Sequence, residues 1–267
     1  MNYVEVKGGL GNQLFQYTFH KYCEKRSGCV TLLHTEFFKY VKTLEGATQR
    51  DFKLNKFGCD FMGICGAVTC EQIVEEEEFG GIDRGTNEVF YRGYWQNKEF
   101  FEEVRQDILR TVCLKEEYIT KDLKEAASEI ERNNAIAIHI RRGDYLNEVN
   151  RKIFGALSVD YYRDAIAEIM DRCGTEVKVF VFTEDTEYAR EIMDQFGDMK
   201  VEIMPVREDY EDLYLMSRAK HHVIANSSFS WWGAAISTAT DGVTIAPKNW
   251  FLDRPSPNLY LDGWIVL

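Results

Sequence analysis

At 267 residues, with 45% hydrophobic and 28% charged residues, the chain has the composition of an ordinary globular protein and enough length to bury a substantial core. Its net charge of -12 argues against a general nucleic-acid binder, which depends on a basic excess. The first residues lack the basic and apolar regions of a signal peptide, and no stretch approaches the roughly 20 apolar residues of a membrane span, so we expect a cytoplasmic protein without stable membrane insertion.

The cysteines and acidic residues give no sign of a metal site. The seven cysteines form no Cys-x-x-Cys pair, and their odd number fits free thiols better than a disulfide framework. The cluster Cys59, Cys65 and Cys70 has no histidine nearby that would complete a zinc site. No Asp-x-Asp occurs, which removes a usual means of holding a divalent cation on a diphosphate. The sequence therefore predicts no metal and no metal cofactor.

The chain opens with a strand, a glycine turn, a helix and a second strand over residues 3–33, the pattern of a βαβ unit. Such a turn lets the backbone approach a ligand at a helix N-terminus. Gly9 and Gly11 match the first two glycines of a dinucleotide fingerprint, and Glu36 follows at the position that can hold a ribose, but Leu14 replaces the third glycine. An NAD-dependent enzyme and simple close packing of the turn both stay open.

The following region is less regular. Glu75 to Glu78 is interpreted as a solvated face without chemistry. A strand is predicted over 89–91 and a helix over 98–109. Between them lie Tyr94 and Trp95, which are suited either to stacking on a sugar or to filling the core.

The charged, helical stretch 115–134 is interpreted as the bridge between two halves of the chain. We predict an N-terminal domain over 1–125 and a C-terminal domain over 126–267.

The second half begins with the most informative stretch of the sequence. Residues 135–140 are apolar at nearly every position, the pattern of a parallel strand covered on both faces. Arg141 and Arg142 follow directly, and ligands of open α/β sheets bind beyond such strand ends. Two guanidinium groups there can hold a phosphate or diphosphate by bidentate hydrogen bonds. Alternatives are a solvated pair and an adhesion module that uses the tripeptide Arg142-Gly143-Asp144.

After this loop, apolar strands and helices alternate, which predicts a parallel sheet with right-handed crossovers. Polar residues follow two of the strands directly, at Thr183 to Asp185 and at Asn226 to Ser230, so the ends of three strands converge on one crevice. The predicted strands are 177–182, 201–203, 222–225 and 243–246, and the predicted helices are 159–173, 186–196 and 209–220.

Three motifs, Gly8 to Tyr17, His139 to Tyr145 and Asn226 to Ala234, together resemble the α-1,2-fucosyltransferases of glycosyltransferase family 11. They occur in family order across most of the chain. The resemblance implies an α/β fold of GT-B type, in which two Rossmann-like domains with mainly parallel sheets face a cleft. It also implies metal-independent, inverting transfer of L-fucose from GDP-β-L-fucose to the 2-hydroxyl of a galactoside in an oligosaccharide or glycan acceptor.

The same resemblance assigns roles to individual residues. Arg141 and Arg142 become the clamp that stabilises departing GDP, and Asp144 and Glu148 are the candidates for the general base. Thr183 stands where the family more often carries serine. On this interpretation the N-terminal domain lies on the acceptor side and the C-terminal domain binds GDP-fucose. The predicted donor-binding residues are Gly11, Asn12, His139, Glu184, Asp185, Asn226, Ser227, Ser228 and Phe229.

Two other classes of function remain as alternatives at this point. An NAD-dependent enzyme would use the turn at Gly9 and Gly11. A noncatalytic carbohydrate or adhesion module would bind without turnover of any donor.

Overall fold

The computed structural model describes residues 1–41, 50–143 and 148–267, the last range with side chains from residue 151 onward. The described chain forms two compact units, Met1–Lys115 and Glu116–Leu267. Each unit contains one sheet whose neighbouring strands are all parallel, with helices in the connections. The predicted class, two Rossmann-like α/β halves with mainly parallel sheets, is confirmed.

The first unit has the strand order β3-β2-β1-β5-β4. Helix α1 starts after Gly9 and ends at Gly28, which takes the left-handed conformation (φ 69°) that favours glycine after a helix. Helix α1 packs on α3 and on β1. The elements of this unit are β1 (Asn2–Glu5), α1 (Leu10–Ser27), β2 (Thr31–His34), α2 (Phe37–Tyr40), β3 (Gly63–Ile64), β4 (Gln72–Glu75), β5 (Val89–Arg92) and α3 (Lys98–Thr111).

The sheet of the first unit is buried more deeply on one face than on the other. Alternate residues of β1 and β5, such as Val4 and Tyr91, are fully buried, whereas their neighbours are half-buried. Since successive side chains of a strand point to opposite faces, this alternation shows which face carries the core.

The second unit has the strand order β11-β10-β9-β6-β7-β8, with β6 among the central strands. Every residue of β6 is buried, as the continuous apolar run predicted. The elements of this unit are α4 (Lys121–Glu131), β6 (Ala135–Ile140), α5 (Glu148–Ile153), α6 (Val159–Cys173), β7 (Lys178–Thr183), α7 (Thr186–Met193), β8 (Lys200–Ile203), α8 (Asp209–Met216), β9 (His221–Val223), α9 (Ser228–Ala235), β10 (Thr244–Ala246) and β11 (Ile265–Val266).

The register of this sheet brings the predicted polar ends together. Ile140 pairs with Thr183, so the last residues of β6 and β7 are adjacent. On the other side of β6, Ile138 pairs with Val223 near the end of β9. The residues that follow β6, β7 and β9 therefore leave the sheet at one edge, where strand ends of α/β sheets bind ligands.

Two helices are shorter than the sequence pattern predicted. Helix α7 ends at Met193 and continues as a 3-10 turn, and α8 ends at Met216 instead of residue 220. After α8 the chain must turn back into the sheet, and β9 already begins at His221. All seven cysteines are free thiols. Within the described ranges, no helix combines the length and the apolar character needed to cross a membrane.

Candidate active site

The site begins where the chain leaves the sheet at the end of β6. Ile140 is 2% exposed, and the guanidinium-bearing side chains of Arg141 and Arg142 that follow are 16% and 25% exposed. Arginine side chains that are largely withdrawn from water need charged or hydrogen-bonding partners. The residues after β7 supply them.

Arg141 is paired with Glu184. Its Nη1 donates a hydrogen bond of 2.9 Å to Oε1 of Glu184, the residue that follows β7. The pairing of Ile140 with Thr183 places the two side chains next to each other. Gly143 also lies against this carboxylate, because a Cβ at position 143 would collide with Oε2 of Glu184. Glu184 is 60% exposed, so the pair is accessible from solvent.

Arg142 is held by two residues of the segment that starts α7. Its Nε lies 3.3 Å from Oδ2 of Asp185, and its guanidinium carbon lies 3.7 Å from the ring centroid of Tyr188. Oδ1 of Asp185 accepts a hydrogen bond of 3.1 Å from the backbone N–H of Tyr188 and thereby caps α7. One carboxylate thus starts the helix and orients the arginine, while the ring of Tyr188 fixes the plane of the guanidinium group.

His139 lies one residue before the end of β6 and is buried. Burial, reinforced by the positive charge of Arg141, lowers the pKa of His139 to about 3. The imidazole is therefore neutral at physiological pH. Its ring lies 5.5 Å from the ring of Phe229, and its Nδ1 has no hydrogen-bond partner among the residues that the structure describes. A buried ring nitrogen of this kind is suited to contact a bound ligand.

Asn226 and Ser227 lie where β9 leads into α9. Asn226 is buried, and its Nδ2 donates to the carbonyl oxygens of Phe154 (2.8 Å) and Trp250 (3.3 Å), so it braces the neighbouring loops. Ser227 precedes the first turn of α9, and its side chain makes no capping hydrogen bond. Ser228 and Phe229 are half-buried in that first turn, whose N–H groups are suited to an anion.

Asp212 on α8 lies near enough to Glu184 for the two charges to interact, and it was not predicted from the sequence. Burial raises the pKa of Asp212 to about 7; Arg207 opposes this rise, and Glu184 is one of three carboxylates that add to it. Oδ1 of Asp212 is buried and has no hydrogen-bond partner in the described part of the chain. A carboxyl group in this state has an unmet capacity for hydrogen bonds. In the sequence, Asp209 to Asp212 has the pattern of an ordinary acidic helix start, so no signal separated Asp212 from its neighbours.

Two further residues near the site were not predicted from the sequence. Arg207 opposes the rise in the pKa of Asp212, and Tyr188 lies against the guanidinium group of Arg142. Nη1 of Arg207 lies 2.5 Å from Oδ2 of Asp122 on α4. Tyr188 stands three residues after Asp185, the spacing at which an N-cap side chain meets a backbone N–H. That spacing was a usable signal for the cap, but not for the stacking of Arg142 on the ring.

The other predicted residues either belong to the first unit or fall outside the described residues. Asp144 lies outside the described residues, and the side chain of Glu148 does as well. Gly11 and Asn12 lie in the first turn of α1 in the first unit, where Oδ1 of Asn12 accepts a hydrogen bond of 2.8 Å from Gln96. Leu14, at the third-glycine position of a dinucleotide fingerprint, is fully buried.

The two aromatic residues after β5 differ in their surroundings. Trp95 is fully buried and stacks on Phe19, with ring centroids 3.7 Å apart, so it belongs to the core. Tyr94 is 42% exposed and stays available for a ligand. The interpretation of Glu75 to Glu78 as a purely solvated face was wrong for Glu76, whose Oε2 accepts a hydrogen bond of 2.7 Å from the backbone N–H of Tyr94.

Two α/β units, each with a parallel sheet, and a half-buried arginine pair beyond a strand end are suited to an enzyme that binds the diphosphate of a nucleotide sugar. The model of the family described as Glycosyl transferase family 11 matches residues 72–267. The chain therefore belongs to glycosyltransferase family 11, and the resemblance drawn from its three motifs is confirmed. Among the described residues, no group of three or more His, Cys, Asp or Glu side chains is arranged to hold a metal ion.

Comparison of the chain with individual proteins is consistent with this family. The chain is 36% identical to an Alpha-1,2-colitosyltransferase of Escherichia coli over 93% of this chain and 91% of the relative. It is 26% identical to the Galactoside alpha-(1,2)-fucosyltransferase 1 of Leontopithecus chrysomelas over 62% of this chain and 49% of that protein. The crystal structure of NodZ alpha-1,6-fucosyltransferase soaked with GDP-fucose shares the fold, with a TM-score of 0.58, 14% identity, and coverage of 88% of this chain and 92% of NodZ.

Proposed function

We propose that this glycosyltransferase transfers L-fucose from GDP-β-L-fucose to the 2-hydroxyl of a galactoside, with inversion and without a metal ion. The arginine pair carries the proposal. Arg141 and Arg142 directly follow β6, and each forms an ion pair with a carboxylate that follows β7. The galactoside fucosyltransferase among the relatives supports the acceptor and the linkage.

The chemistry of the arginine pair follows from where charge develops. As the glycosidic bond breaks, negative charge grows on the β-phosphate of the leaving GDP. Arg141 and Arg142 can donate several charge-assisted hydrogen bonds to these oxygens. Contacts that strengthen in the transition state lower the barrier, and two fixed cations can do this without a divalent metal. Neither arginine changes its charge in the reaction, since guanidinium groups stay protonated.

Glu184 lies in an ion pair with Arg141, and Asp185 lies in an ion pair with Arg142. Glu184 is 60% exposed, so its carboxylate can leave Arg141 for solvent at low cost, because ion pairs that water reaches contribute little stability. The carboxylate of Asp185 has one oxygen on the cap of α7 and the other near Arg142, so we assign it to orientation of the clamp.

The nucleoside end of the donor requires acceptors for the guanine N1–H and N2–H groups. We assign this contact to Asp212, whose buried Oδ1 lacks a partner among the described residues, with His139 as a neutral neighbour of the arginines. A carboxylate can accept both N–H groups at once. The general base that removes the proton of the acceptor hydroxyl is proposed to be Asp144 or Glu148, as the family resemblance implies.

Colitosyl transfer is a second candidate, favoured by the relative that is 36% identical. Colitose is fucose without its 3-hydroxyl, so both donors present the same GDP to the arginines. A site that hydrogen-bonds the 3-hydroxyl rejects the sugar that lacks it by a factor of about 10⁴.

The two candidates are separated by measuring GDP release from GDP-fucose and from GDP-colitose, each with and without methyl β-D-galactoside. We expect acceptor-stimulated release from GDP-fucose to be the faster. Faster release from GDP-colitose would show that GDP-colitose is the preferred donor. Release from neither donor would reject both fucosyl and colitosyl transfer.

A further inference from the structure

The turn after β5 in the first unit has an unusual backbone. Trp95 takes a left-handed conformation (φ 58°) although it is not glycine. Such a conformation is strained for a residue with a side chain. Trp95 is fully buried against Phe19, which offsets this strain. Strain of this kind persists where the surroundings hold it, and it is frequent at functional sites.

The backbone on either side of Tyr94 is fixed by hydrogen bonds. Nε2 of Gln16 donates to the carbonyl oxygen of Gly93 (2.9 Å), and Oε2 of Glu76 accepts from the N–H of Tyr94 (2.7 Å). At Gly93 a Cβ would lie 2.5 Å from the Cβ of Glu76, so Glu76 packs where only glycine leaves room. The tyrosine is therefore presented by a rigid turn although its side chain is 42% exposed.

Charged and polar groups border the exposed ring. Nζ of Lys7 lies 5.5 Å from the ring centroid of Tyr94 and forms a 2.6 Å ion pair with Glu5. A Cβ on Gly8 would lie 3.5 Å from Cε1 of Tyr94 and 2.9 Å from Nδ2 of Asn12, so the ring adjoins the glycine turn before α1. The side-chain amides of Asn12 and Gln96 are joined by a hydrogen bond of 2.8 Å.

We propose that Tyr94 is the stacking platform for the acceptor sugar, taking the apolar face of a terminal galactopyranoside. The inference rests on the proposed function, since it deepens the assignment of a galactoside acceptor. A rigid aromatic ring supplies contact area at low entropic cost. The ion pair of Lys7 with Glu5 and the amides of Asn12 and Gln96 provide donors and acceptors for the hydroxyls around such a ring.

Kinetics with methyl β-D-galactoside test the platform. Tyr94→Ala should raise the KM for the galactoside about tenfold, because the stacking surface is lost. Tyr94→Phe should restore KM to within about threefold, since the ring is kept. The Kd for GDP should change by less than about twofold in both variants, as Tyr94 is not assigned to the nucleotide. Leu109→Ala is the matched control. Leu109 has a similar exposure (39%) and lies near the end of α3, away from the turn that carries Tyr94 in the sequence.

Saturation-transfer NMR with the same galactoside and GDP decides the inference independently of turnover. We expect transfer to the sugar protons in the wild type and in Tyr94→Phe, and its loss in Tyr94→Ala. Equal transfer in Tyr94→Ala, no transfer in the wild type, or an unchanged KM would overturn the platform. If saturation transfer to the sugar is lost in Tyr94→Ala but the wild type shows no turnover, the proposed function would be rejected and the sugar site at Tyr94 would be supported.

Discussion

The guanidinium group of Arg142 stacks on Tyr188, with 3.7 Å between its central carbon and the ring centroid, while its Nε faces Asp185 at 3.3 Å. The stack fixes the plane of the guanidinium group, and a planar donor with a fixed direction is what bidentate phosphate recognition requires. Lysine cannot reproduce this geometry, since its ammonium is a point charge on a flexible stem.

Arg142→Lys should therefore lower kcat/KM for GDP-fucose by about 10- to 150-fold, which corresponds to roughly 1.5 to 3 kcal/mol for a charge-assisted hydrogen bond. Because the contact tightens in the transition state, kcat should fall more than the affinity for GDP-fucose. Steady-state kinetics measure both parameters. Arg218→Lys is the control, since Arg218 also stacks on a tyrosine, Tyr214 at 4.4 Å, in the same unit. Near-normal turnover of Arg142→Lys would remove Arg142 from the clamp.

Asp185 should affect stability through the cap of α7. Asp185→Ala removes the side-chain oxygen that accepts the N–H of Tyr188, and loss of an N-cap typically costs about 1 kcal/mol. Asp185→Ser keeps an oxygen at this position and should be more stable than the alanine variant. Urea denaturation of the three proteins measures the difference. Equal stability of the serine and alanine variants would show that the capping hydrogen bond contributes nothing.

Asp212 should make GDP binding depend on pH. Its pKa is raised to about 7 by burial, and acceptance of the guanine N–H groups requires the charged form. Below pH 7 a proton must leave as GDP binds, so the Kd should rise by up to about tenfold for each pH unit and level off above pH 7.

Calorimetry between pH 5.5 and 8 on the wild type and Asp212→Asn isolates this effect, because titration of the phosphate is common to both proteins. The variant should bind GDP more weakly at pH 8, lose the additional pH dependence, and bind pyrophosphate like the wild type. Equal losses for GDP and pyrophosphate would show that Asp212 does not contact the nucleoside.

Gly93 should not tolerate a side chain. A Cβ there would lie 2.5 Å from the Cβ and 2.7 Å from Oε2 of Glu76, so Gly93→Ala should destabilise the protein by about 1 to 3 kcal/mol. Gly80→Ala is the control, since nothing lies within 4 Å of a Cβ at that position. Denaturant unfolding compares the two variants. Similar stability of both would show that the packing of Glu76 against the turn is loose.

The centre of the second unit's sheet was predictable because β6 and β7 are continuous apolar runs, and the residues that follow them had to lie at one edge. The placement of Arg141 and Arg142 followed from this pattern. Their partners did not, since sequence spacing does not reveal which carboxylate meets which arginine or that Tyr188 lies under Arg142. Such contacts depend on side-chain directions fixed by packing.

In the first unit the sequence was less informative. Strands β3 and β4 lie at the edges of their sheet, are short, and have no continuous apolar pattern. The acidic run that ends β4 has the composition of a solvated face, yet Glu76 fixes the turn of Tyr94. Asp212 was not predicted because an acidic residue in an exposed first turn and one with a buried carboxylate oxygen have the same sequence pattern.

In the proposed reaction, two arginines stabilise GDP as it leaves GDP-fucose and a galactoside attacks, without a metal. NMR of the product formed from GDP-β-L-fucose and methyl β-D-galactoside in the presence of EDTA tests it most directly. We expect an α-fucosyl anomeric signal with the linkage at O2 of galactose, at a rate that EDTA does not change. A β-linked product, or a reaction that EDTA abolishes and magnesium restores, would contradict the proposed reaction.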